Sequence, residues 1–219
     1  MKYYFFLLIS IVAADLFAQD PWKDVYRESA WEQRDMWQRA SDIISKLKLS
    51  SASHVADIGS HEGYFTIKLA SVVGSGKVYA VDISKSKIEK LQEHLAKRNI
   101  KNVDVILGKD DDPGLPGNKL DAVLIVDTYH EMDQHATVLQ HILRALKPGG
   151  RLLLCEPISD DRKSLSRDEQ ERKHELGMNF ALNDLKRAGF KITLQQEGFV
   201  DRVKEKGDKM WVIVCEKSI

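Results

Sequence analysis

The stretch VADIGSHEGYFTIKLA, residues 55–70, decides the predicted fold of this chain. An apolar run ends in Asp57, a loop with Gly59 and Gly63 follows, and an amphipathic segment comes next. This order is typical of a strand, a tight turn and a helix that open onto a ligand. His61 stands where a nucleotide-binding loop of this type usually has a further glycine. The sequence therefore raises the question of which ligand the loop accepts.

Apolar strand candidates alternate with helical patterns along the chain. The predicted strands are residues 54–58, 77–82, 103–107, 120–127 and 151–156. One helical pattern follows Ser84, a possible cap, and another is predicted to stop at the Pro-Gly-Gly of residues 148–150. Such alternation predicts a parallel, doubly wound α/β sheet, in which ligands bind at the carboxyl ends of the strands.

Acidic residues mark most of the predicted carboxyl ends. The five ends carry Asp57, Asp82, Gly108, Asp127 and Glu156. Because these ends meet at one edge of a parallel sheet, the carboxylates are expected to lie close together. A row of carboxylates along one edge favours a polar, partly cationic ligand.

Two nucleotide-type ligands compete for this loop. The dinucleotide fingerprint G-x-G-x-x-G fails at its second and third glycines, and Asp57 would repel a pyrophosphate. S-adenosylmethionine fits better, because its ammonium group can face Asp57 and backbone N–H groups of the loop can meet its carboxylate. Asp82 can accept hydrogen bonds from both ribose hydroxyls. An NAD-dependent oxidoreductase of Rossmann type stays as the alternative.

Four segments resemble the successive motifs of class I S-adenosylmethionine-dependent methyltransferases. They are VADIGSHEG, VYAVDIS, LDAVLIVDTYHE and LKPGGRLLLCE, within a resemblance that covers about residues 50–217. The motifs are similar to those of the ubiquinone/menaquinone-biosynthesis and arsenite methyltransferase group. The resemblance implies a three-layer Rossmann-like fold with seven strands in the order 3-2-1-4-5-7-6, strand 7 being antiparallel. Residues 190–199 and 209–217 would then be strands six and seven.

The resemblance also implies which residues bind the cofactor, S-adenosylmethionine. They are Asp57, Gly59, Ser60, Gly63, Asp82, Ile83, Asp110 and Asp127. In the resembled family, an acid that binds the adenine amino group often follows strand three, and Lys109 stands at that position here. Asp110 is therefore the first candidate for this contact and Asp111 the second. Two interpretations of His61 stay open: a surface residue that points away from the ligand, or a contact to the methionyl carboxylate.

The segment DTYHEM after strand four holds the catalytic candidates. The resemblance places Tyr129 beside the sulfonium, His130 as a base for an acceptor hydroxyl or amine, and Glu131 as the residue that orients it. Alternatively, these residues only shape the pocket. The neighbouring HEMDQH is not the zinc motif H-E-x-x-H, because position 134 is Gln, and no metal is predicted.

Two further segments lie near the predicted site. Residues 22–47 are rich in tryptophan and form either a lid, with Trp37 or Arg34 near the cofactor, or helices docked on the sheet by aromatic side chains. Residues 158–177 are predicted to form a long, charged loop on the acceptor side, with His174 within possible reach of the pocket.

The chain is predicted to begin with a targeting segment. Residues 1–18 resemble a secretory signal peptide, with an uncleaved anchor through residues 3–18 as the alternative. Residues 19–49 are then N-terminal helices, and residues 50–219 the methyltransferase domain. No stable membrane span is expected after cleavage. Export is the predicted localisation, although S-adenosylmethionine is made in the cytosol.

Composition limits the partners. The 219 residues suit one domain, and 33 Lys plus Arg balance 33 Asp plus Glu, so nucleic acid is not an expected partner.

Cys155 and Cys215 are predicted to be free, because the resembled sheet keeps them apart. The predicted function is methyl transfer to a small-molecule acceptor. A catalytically silent S-adenosylmethionine-binding protein is the second alternative, and the oligomeric state is left open.

Overall fold

The computed structural model describes residues 26–218, so the predicted signal peptide at residues 1–18 lies outside the described residues. The strands are β1 His54–Ile58, β2 Lys77–Asp82, β3 Val103–Leu107, β4 Leu120–Val126, β5 Leu146–Ile158, β6 Phe190–Arg202 and β7 Asp208–Lys217. They form one sheet in the order β3-β2-β1-β4-β5-β7-β6. β7 runs antiparallel to both β5 and β6. The predicted sheet order and the antiparallel last strand are confirmed.

Helices cover both faces of this sheet. They are α1 Trp31–Asp35, α2 Ala40–Ser45, α3 Tyr64–Val72, α4 Lys85–Lys97, α5 His135–Ala145, α6 Arg167–Glu171, α7 Met178–Ala188 and α8 Val203–Lys206. On one face, Ile43 of α2 and Leu69 of α3 are buried with Val55 of β1. On the other, Ile142 of α5 and Leu185 of α7 belong to a second buried cluster. The predicted three-layer architecture is confirmed.

The strand boundaries agree with the sequence for β1, β2 and β3, β6 extends three residues beyond the predicted residue 199, and further differences lie around β4 and β5. β4 ends at Val126 because Asp127 has a left-handed φ of 56°, which does not continue a strand. β5 begins at Leu146, before the predicted start at residue 151. The Pro-Gly-Gly that was predicted to stop a helix thus lies inside β5, within the register shift that separates the pair Leu120–Leu146 from the pair Ala122–Arg151.

The segment 158–177 is not the long loop that the sequence predicted. It contains a 3₁₀ turn at Asp160–Arg162 and the short helix α6. Ser166 and Glu169 form a capping box at the start of α6, with each side chain accepting a hydrogen bond from the backbone N–H of the other residue. The S-x-x-E spacing is a helix-start signal that was present in the sequence.

The aromatic residues of the N-terminal segment mainly dock its helices. Trp37 is buried in the core with Ile43 and Ile44, and the ring of Trp31 meets that of Tyr64 edge-on at 5.9 Å. The docking interpretation is therefore confirmed for Trp37. Arg34 differs, because its side chain lies at the cavity described below.

Both cysteines are free and buried, as predicted. In the antiparallel register, Cys155 pairs with Val212, whereas Cys215 pairs with Leu152. Leu152 lies three residues before Cys155, which separates the cysteines by roughly 10 Å along the strands at ~3.3 Å per residue. A disulfide requires alpha carbons within ~7 Å. The strand register therefore keeps the two thiols apart.

Among the helices of residues 26–218, none is both long and apolar enough to cross a bilayer.

Candidate active site

A cavity of about 740 Å³ opens at the carboxyl ends of β1, β2 and β4. Its volume falls within the ~300–1,000 Å³ that is usual for small-molecule and cofactor sites. The predicted site residues that line it are Asp57, Gly59, Ser60, Asp82, Ile83, Asp110, Asp127, His130 and Glu131. The topology thus brings most of the predicted site to one place, because parallel strands end at a common edge.

Gly59 and Gly63 shape the first loop in different ways. Gly59 has φ 76°, and a Cβ there would lie 2.3 Å from the side chain of Thr128. Gly63 has φ 102°, and its Cβ would lie 2.4 Å from Leu91 of α4. Both positions therefore require glycine. Gly63 does not line the cavity, so its predicted role as a cofactor contact is corrected to a packing contact.

The backbone N–H groups of this loop are already bonded within the protein. Gly59 and Ser60 donate to the carbonyl of Val81 at 2.9 and 3.0 Å, and His61 donates to Asp82 Oδ2 at 2.9 Å. The predicted contact between the loop N–H groups and a methionyl carboxylate is therefore wrong for these three residues. The hydroxyl of Ser60 is different: Oγ is buried without a hydrogen-bond partner beside the cavity.

His61 faces the cavity rather than bulk solvent. Its backbone has a left-handed φ of 49°, and its ring lies 5.8 Å from that of Tyr26. Burial lowers the pKa of His61 to about 4, so the imidazole is neutral at pH 7. Its Nδ1 is buried without a partner. The interpretation as an outward-pointing surface residue is therefore wrong, and the ring offers a hydrogen-bonding atom to a ligand.

Asp57 and Asp82 are held rigidly at the carboxyl edge. Asp57 is buried and accepts a hydrogen bond from Thr66 Oγ1 at 2.6 Å, and burial raises its pKa to about 6. Asp82 accepts from the N–H groups of His61 and Ser84, each at 2.9 Å, so both of its oxygens are fixed in place. Ser84 caps α4 by position only, because its side chain makes no capping hydrogen bond.

The next part of the wall combines an apolar surface with an acid. Ile83 lines the cavity and is 61% exposed, which is unusual for a large apolar side chain. Asp110 lines the cavity, whereas Asp111 does not. The preference for Asp110 over Asp111 agrees with this placement. Together, the apolar side chain of Ile83 and the carboxylate of Asp110 are suited to a heteroaromatic ring that carries an amino group.

The carboxylate of Asp127 is engaged by protein groups. Arg202 Nη1 lies 2.6 Å from its Oδ2, the Tyr26 hydroxyl donates to the same oxygen at 2.5 Å, and Lys206 Nζ lies 3.7 Å away. Burial opposes ionisation, but Arg202 and Lys206 hold the pKa of Asp127 well below its usual range. Asp127 therefore lines the cavity as part of an internal charge cluster, which corrects its prediction as a direct cofactor ligand.

Tyr129 does not reach the cavity. Its side chain is fully buried, and its hydroxyl donates to Asp184 Oδ2 of α7 at 3.1 Å. A ring in this position cannot lie beside a sulfonium in the cavity. The predicted catalytic role of Tyr129 is therefore wrong, and the residue packs the turn after β4 against α7.

His130 lines the cavity but is held by Glu156. His130 Nδ1 lies 2.6 Å from Glu156 Oε2, whereas its Nε2 lies 3.7 Å from Glu131 Oε1. Burial alone would lower the pKa of His130, but the two carboxylates raise it to about 10. The ring is then an imidazolium at pH 7 and has no free site for a proton. The predicted general base is therefore wrong, and Glu156 rather than Glu131 orients the ring.

Apart from Arg34, the cations and the tyrosine that line this cavity were not assigned to it from the sequence. Tyr26, Arg34, Lys87 and Lys206 line it together with Lys109. Arg34 is buried, its guanidinium lies 4.0 Å from the centre of the Tyr64 ring, and its Nε donates to Gln38 Oε1 at 3.0 Å. The lid interpretation of residues 22–47 singled out Arg34, but no local pattern marks Lys206.

Comparison with known proteins identifies the family. Residues 49–208 match the family described as "Methyltransferase domain". The chain belongs to this family. A demethylmenaquinone methyltransferase from Geobacillus sp. (strain WCH70) is 29% identical over 116 residues, which are 52% of this chain and 50% of that protein. The ubiquinone/menaquinone biosynthesis C-methyltransferase UbiE of Ectopseudomonas mendocina (strain ymp) is 31% identical over 123 residues, 55% of this chain and 47% of that one.

The chain spans about half the length of the curated relatives it matches. A solved structure of an S-adenosylmethionine-dependent methyltransferase from Aquifex aeolicus has the same fold. Its TM-score is 0.73 at 20% identity, covering 89% of this chain and 96% of that one. Family membership confirms the predicted methyltransferase, the shared fold confirms the class I sheet, and S-adenosylmethionine stays the predicted cofactor.

The cavity fits this cofactor. Asp57, Asp82, Ile83 and Asp110, which the sequence assigned to its ammonium group, ribose hydroxyls and adenine, all line the cavity. The buried, unpartnered Oγ of Ser60, which also lines it, is a further polar atom available to a ligand.

Replacing Asp82 with Ala should weaken S-adenosylmethionine binding. The loss of a hydrogen bond to a charged group costs about 2 kcal/mol, which corresponds to roughly thirtyfold in affinity. Asp104→Ala on β3 is the matched control, because Asp104 pairs with Lys77 and does not line the cavity. Calorimetric titration measures both variants. Unchanged affinity in Asp82→Ala contradicts the assignment of this carboxylate to the cofactor.

Acidification should weaken cofactor binding through Asp57. Its pKa is raised to about 6, so the carboxylate is ionised at pH 7 and mostly protonated at pH 5. The ligand's ammonium group keeps its charge over that interval, since α-amino groups titrate near ~8. Loss of the ionised form predicts about tenfold weaker binding at pH 5 than at pH 7. Asp57→Asn should bind weakly and with the same affinity at both pH values. An equal pH dependence in wild type and variant rules out Asp57 as its origin.

Proposed function

We propose that this protein transfers a methyl group from S-adenosylmethionine to a small-molecule acceptor. The observation that carries the proposal is that one cavity is lined by chemically different groups from the ends of β1 and β2 and from the turn after β4. The carboxyl ends of β1 and β2 provide Asp57 and Asp82 for the cofactor, whereas the turn after β4 provides His130, Glu131 and Met132 for a second molecule. Both sets of groups line the same cavity, as direct transfer between bound molecules requires.

Arg34 is our candidate for the methionyl carboxylate. Its guanidinium is buried, lines the cavity and is close enough to Asp57 for its charge to offset part of the rise that burial causes in the pKa of Asp57. A buried guanidinium is stabilised by a carboxylate partner, and the N–H groups of Gly59, Ser60 and His61 are used within the protein. Asp57 and Arg34 would thus bind the ammonium and carboxylate of the same amino-acid group.

The bound cofactor supplies an electrophilic methyl group. The residues of this chain then contribute mainly position: the acceptor must be held in line with that group, and such orientation can supply most of the rate. The acceptor side offers His130, held by Glu156, and the cation Lys206, held near Asp127. This arrangement favours acceptors that are nucleophilic without a protein base, such as a thiolate, an amine or an electron-rich ring carbon.

The names of the curated relatives suggest the first acceptors to test. They are methyltransferases of demethylmenaquinone and of ubiquinone/menaquinone biosynthesis, but they match this chain over only about half of their own length. Quinols therefore head the panel, followed by small thiols and amines. Nucleic acid is not included among the proposed partners, given equal numbers of basic and acidic residues in the chain.

Methyl transfer is tested with the cofactor labelled on its methyl group and a fractionated small-molecule extract. We expect label in a low-molecular-mass product with wild type and with His141→Ala, whose ring pairs with Asp112 outside the cavity. Asp82→Ala should lose the product through its weaker cofactor binding. Cofactor binding without any labelled product supports a catalytically silent binding protein. Label in protein or nucleic acid contradicts a small-molecule acceptor.

We further propose that residues 1–18 direct the domain to export, with anchoring through residues 3–18 as the alternative. Support comes from the sequence, in which one lysine precedes a short apolar run and small residues follow. The expected mature chain begins after Ala14 or Ala18. Peptide mapping of the N-terminus with cell fractionation tests this, and an intact N-terminus in the cytosolic fraction contradicts it.

A further inference from the structure

Three potential metal-ligand atoms converge on the acceptor side of the cavity. Glu131 Oε1 lies 3.7 Å from His130 Nε2 and 3.2 Å from His174 Nδ1, and all three atoms lie within 4.8 Å of one another. Ligand atoms at ~2.0–2.2 Å from a tetrahedral Zn²⁺ lie roughly 3.4 Å apart. The three side chains are therefore already near the spacing that a common metal ion requires.

The orientation of His130 is fixed from behind. Its Nδ1 is bonded to Glu156, so its Nε2 is the atom that faces the cavity. Glu156 is fully buried and also accepts hydrogen bonds from the N–H groups of Thr128 and Tyr129 at 2.8 and 2.9 Å. A carboxylate behind the ring is the arrangement that metal-binding histidines commonly have, because it fixes the ring and increases its basicity.

The backbone that carries His174 is also anchored. The adjacent Glu175 is buried, accepts hydrogen bonds from the N–H and hydroxyl of Ser159, and pairs with Arg162 at 2.7 Å. His174 itself has a left-handed φ of 56° and donates its N–H to the carbonyl of Glu171. The side chain remains 73% exposed and can adjust its ring, while its alpha carbon is held beside the cavity.

A second possible cluster, Asp127 with His130 and Glu156, is less suited to a metal. Asp127 is neutralised by Arg202 and Lys206, and Glu156 is occupied by backbone donors and by His130 Nδ1. A cation there would have to displace these partners. In contrast, Glu131 contacts only the two histidines among its charged neighbours in residues 26–218.

We propose that His130, Glu131 and His174 bind a divalent transition-metal ion through Nε2, Oε1 and Nδ1, and that Nε2 of His130 releases its proton to solvent as the metal binds. Two histidines and one carboxylate are the donor set of catalytic zinc sites and of other metal sites that keep open positions. The open positions face the cavity and take an oxygen, nitrogen or sulfur atom of the acceptor, a step that rests on the proposed function. The sequence alone did not reveal this site, because His174 lies 43 residues after Glu131 and no short motif joins them.

Zinc titration of the full chain, without a histidine tag and stripped with a chelator, tests the metal site directly. We expect saturable binding of one Zn²⁺ per chain and much weaker binding of Mg²⁺, which prefers oxygen ligands. His174→Ala and Glu131→Gln should each weaken Zn²⁺ at least tenfold. His141→Ala is the matched control and should bind as wild type does. Variants of His130 are avoided because its buried ring is bonded to the buried carboxylate of Glu156. Its removal would leave that carboxylate without its histidine partner and would destabilise the fold.

Two results overturn the proposal: no saturable binding of Zn²⁺, or equal affinity in wild type, His174→Ala and Glu131→Gln. The latter means that zinc binds elsewhere and that the three side chains form ion pairs only. S-adenosylmethionine is titrated in parallel, with and without Zn²⁺. Failure of zinc binding with cofactor binding intact removes the metal site alone. Zinc binding without methyl transfer to any acceptor removes the proposed function alone.

Discussion

The site depends on one buried carboxylate, that of Glu156 at the end of β5. A buried carboxylate is costly unless its hydrogen bonds are satisfied. Glu156 obtains its partners from the turn after β4, through the N–H groups of Thr128 and Tyr129 and the ring of His130. That turn also presses the side chain of Thr128 against Gly59, where a Cβ would not fit. One anion therefore fixes the acceptor side and aligns it with the cofactor loop.

The parts of this arrangement that follow from topology were predictable from sequence. Alternating apolar runs and helical patterns define a parallel sheet, and its carboxyl ends must share an edge. This topology alone predicts that Asp57 and Asp82 lie at the cavity, where the structure has them. The loop composition favoured S-adenosylmethionine over a dinucleotide, and the resemblance of four motifs implied the full strand order. The start of α6 was also predictable from sequence, because Ser166 and Glu169 have the S-x-x-E spacing of a capping box.

The remaining errors concern side-chain direction and distant charges. Tyr129 and His130 are neighbours on a 3₁₀ turn, yet one packs against α7 and the other lines the cavity. No periodicity rule separates two such residues. For the same reason, the sequence left two interpretations of His61 open, and the structure favours the one that faces the cavity. The pairing of Asp127 with Arg202 joins residues 75 positions apart, so sequence alone could not show that this carboxylate is already engaged.

The central claim is that one cavity at the carboxyl edge of the sheet binds S-adenosylmethionine and not a dinucleotide. Calorimetric titration of the wild-type chain with S-adenosylmethionine, its demethylated product S-adenosylhomocysteine and NAD⁺ tests it most directly. The account predicts saturable binding of one molecule per chain for the first two ligands, and no binding of NAD⁺ at the same concentrations. Saturable binding of NAD⁺ with no binding of S-adenosylmethionine would contradict it.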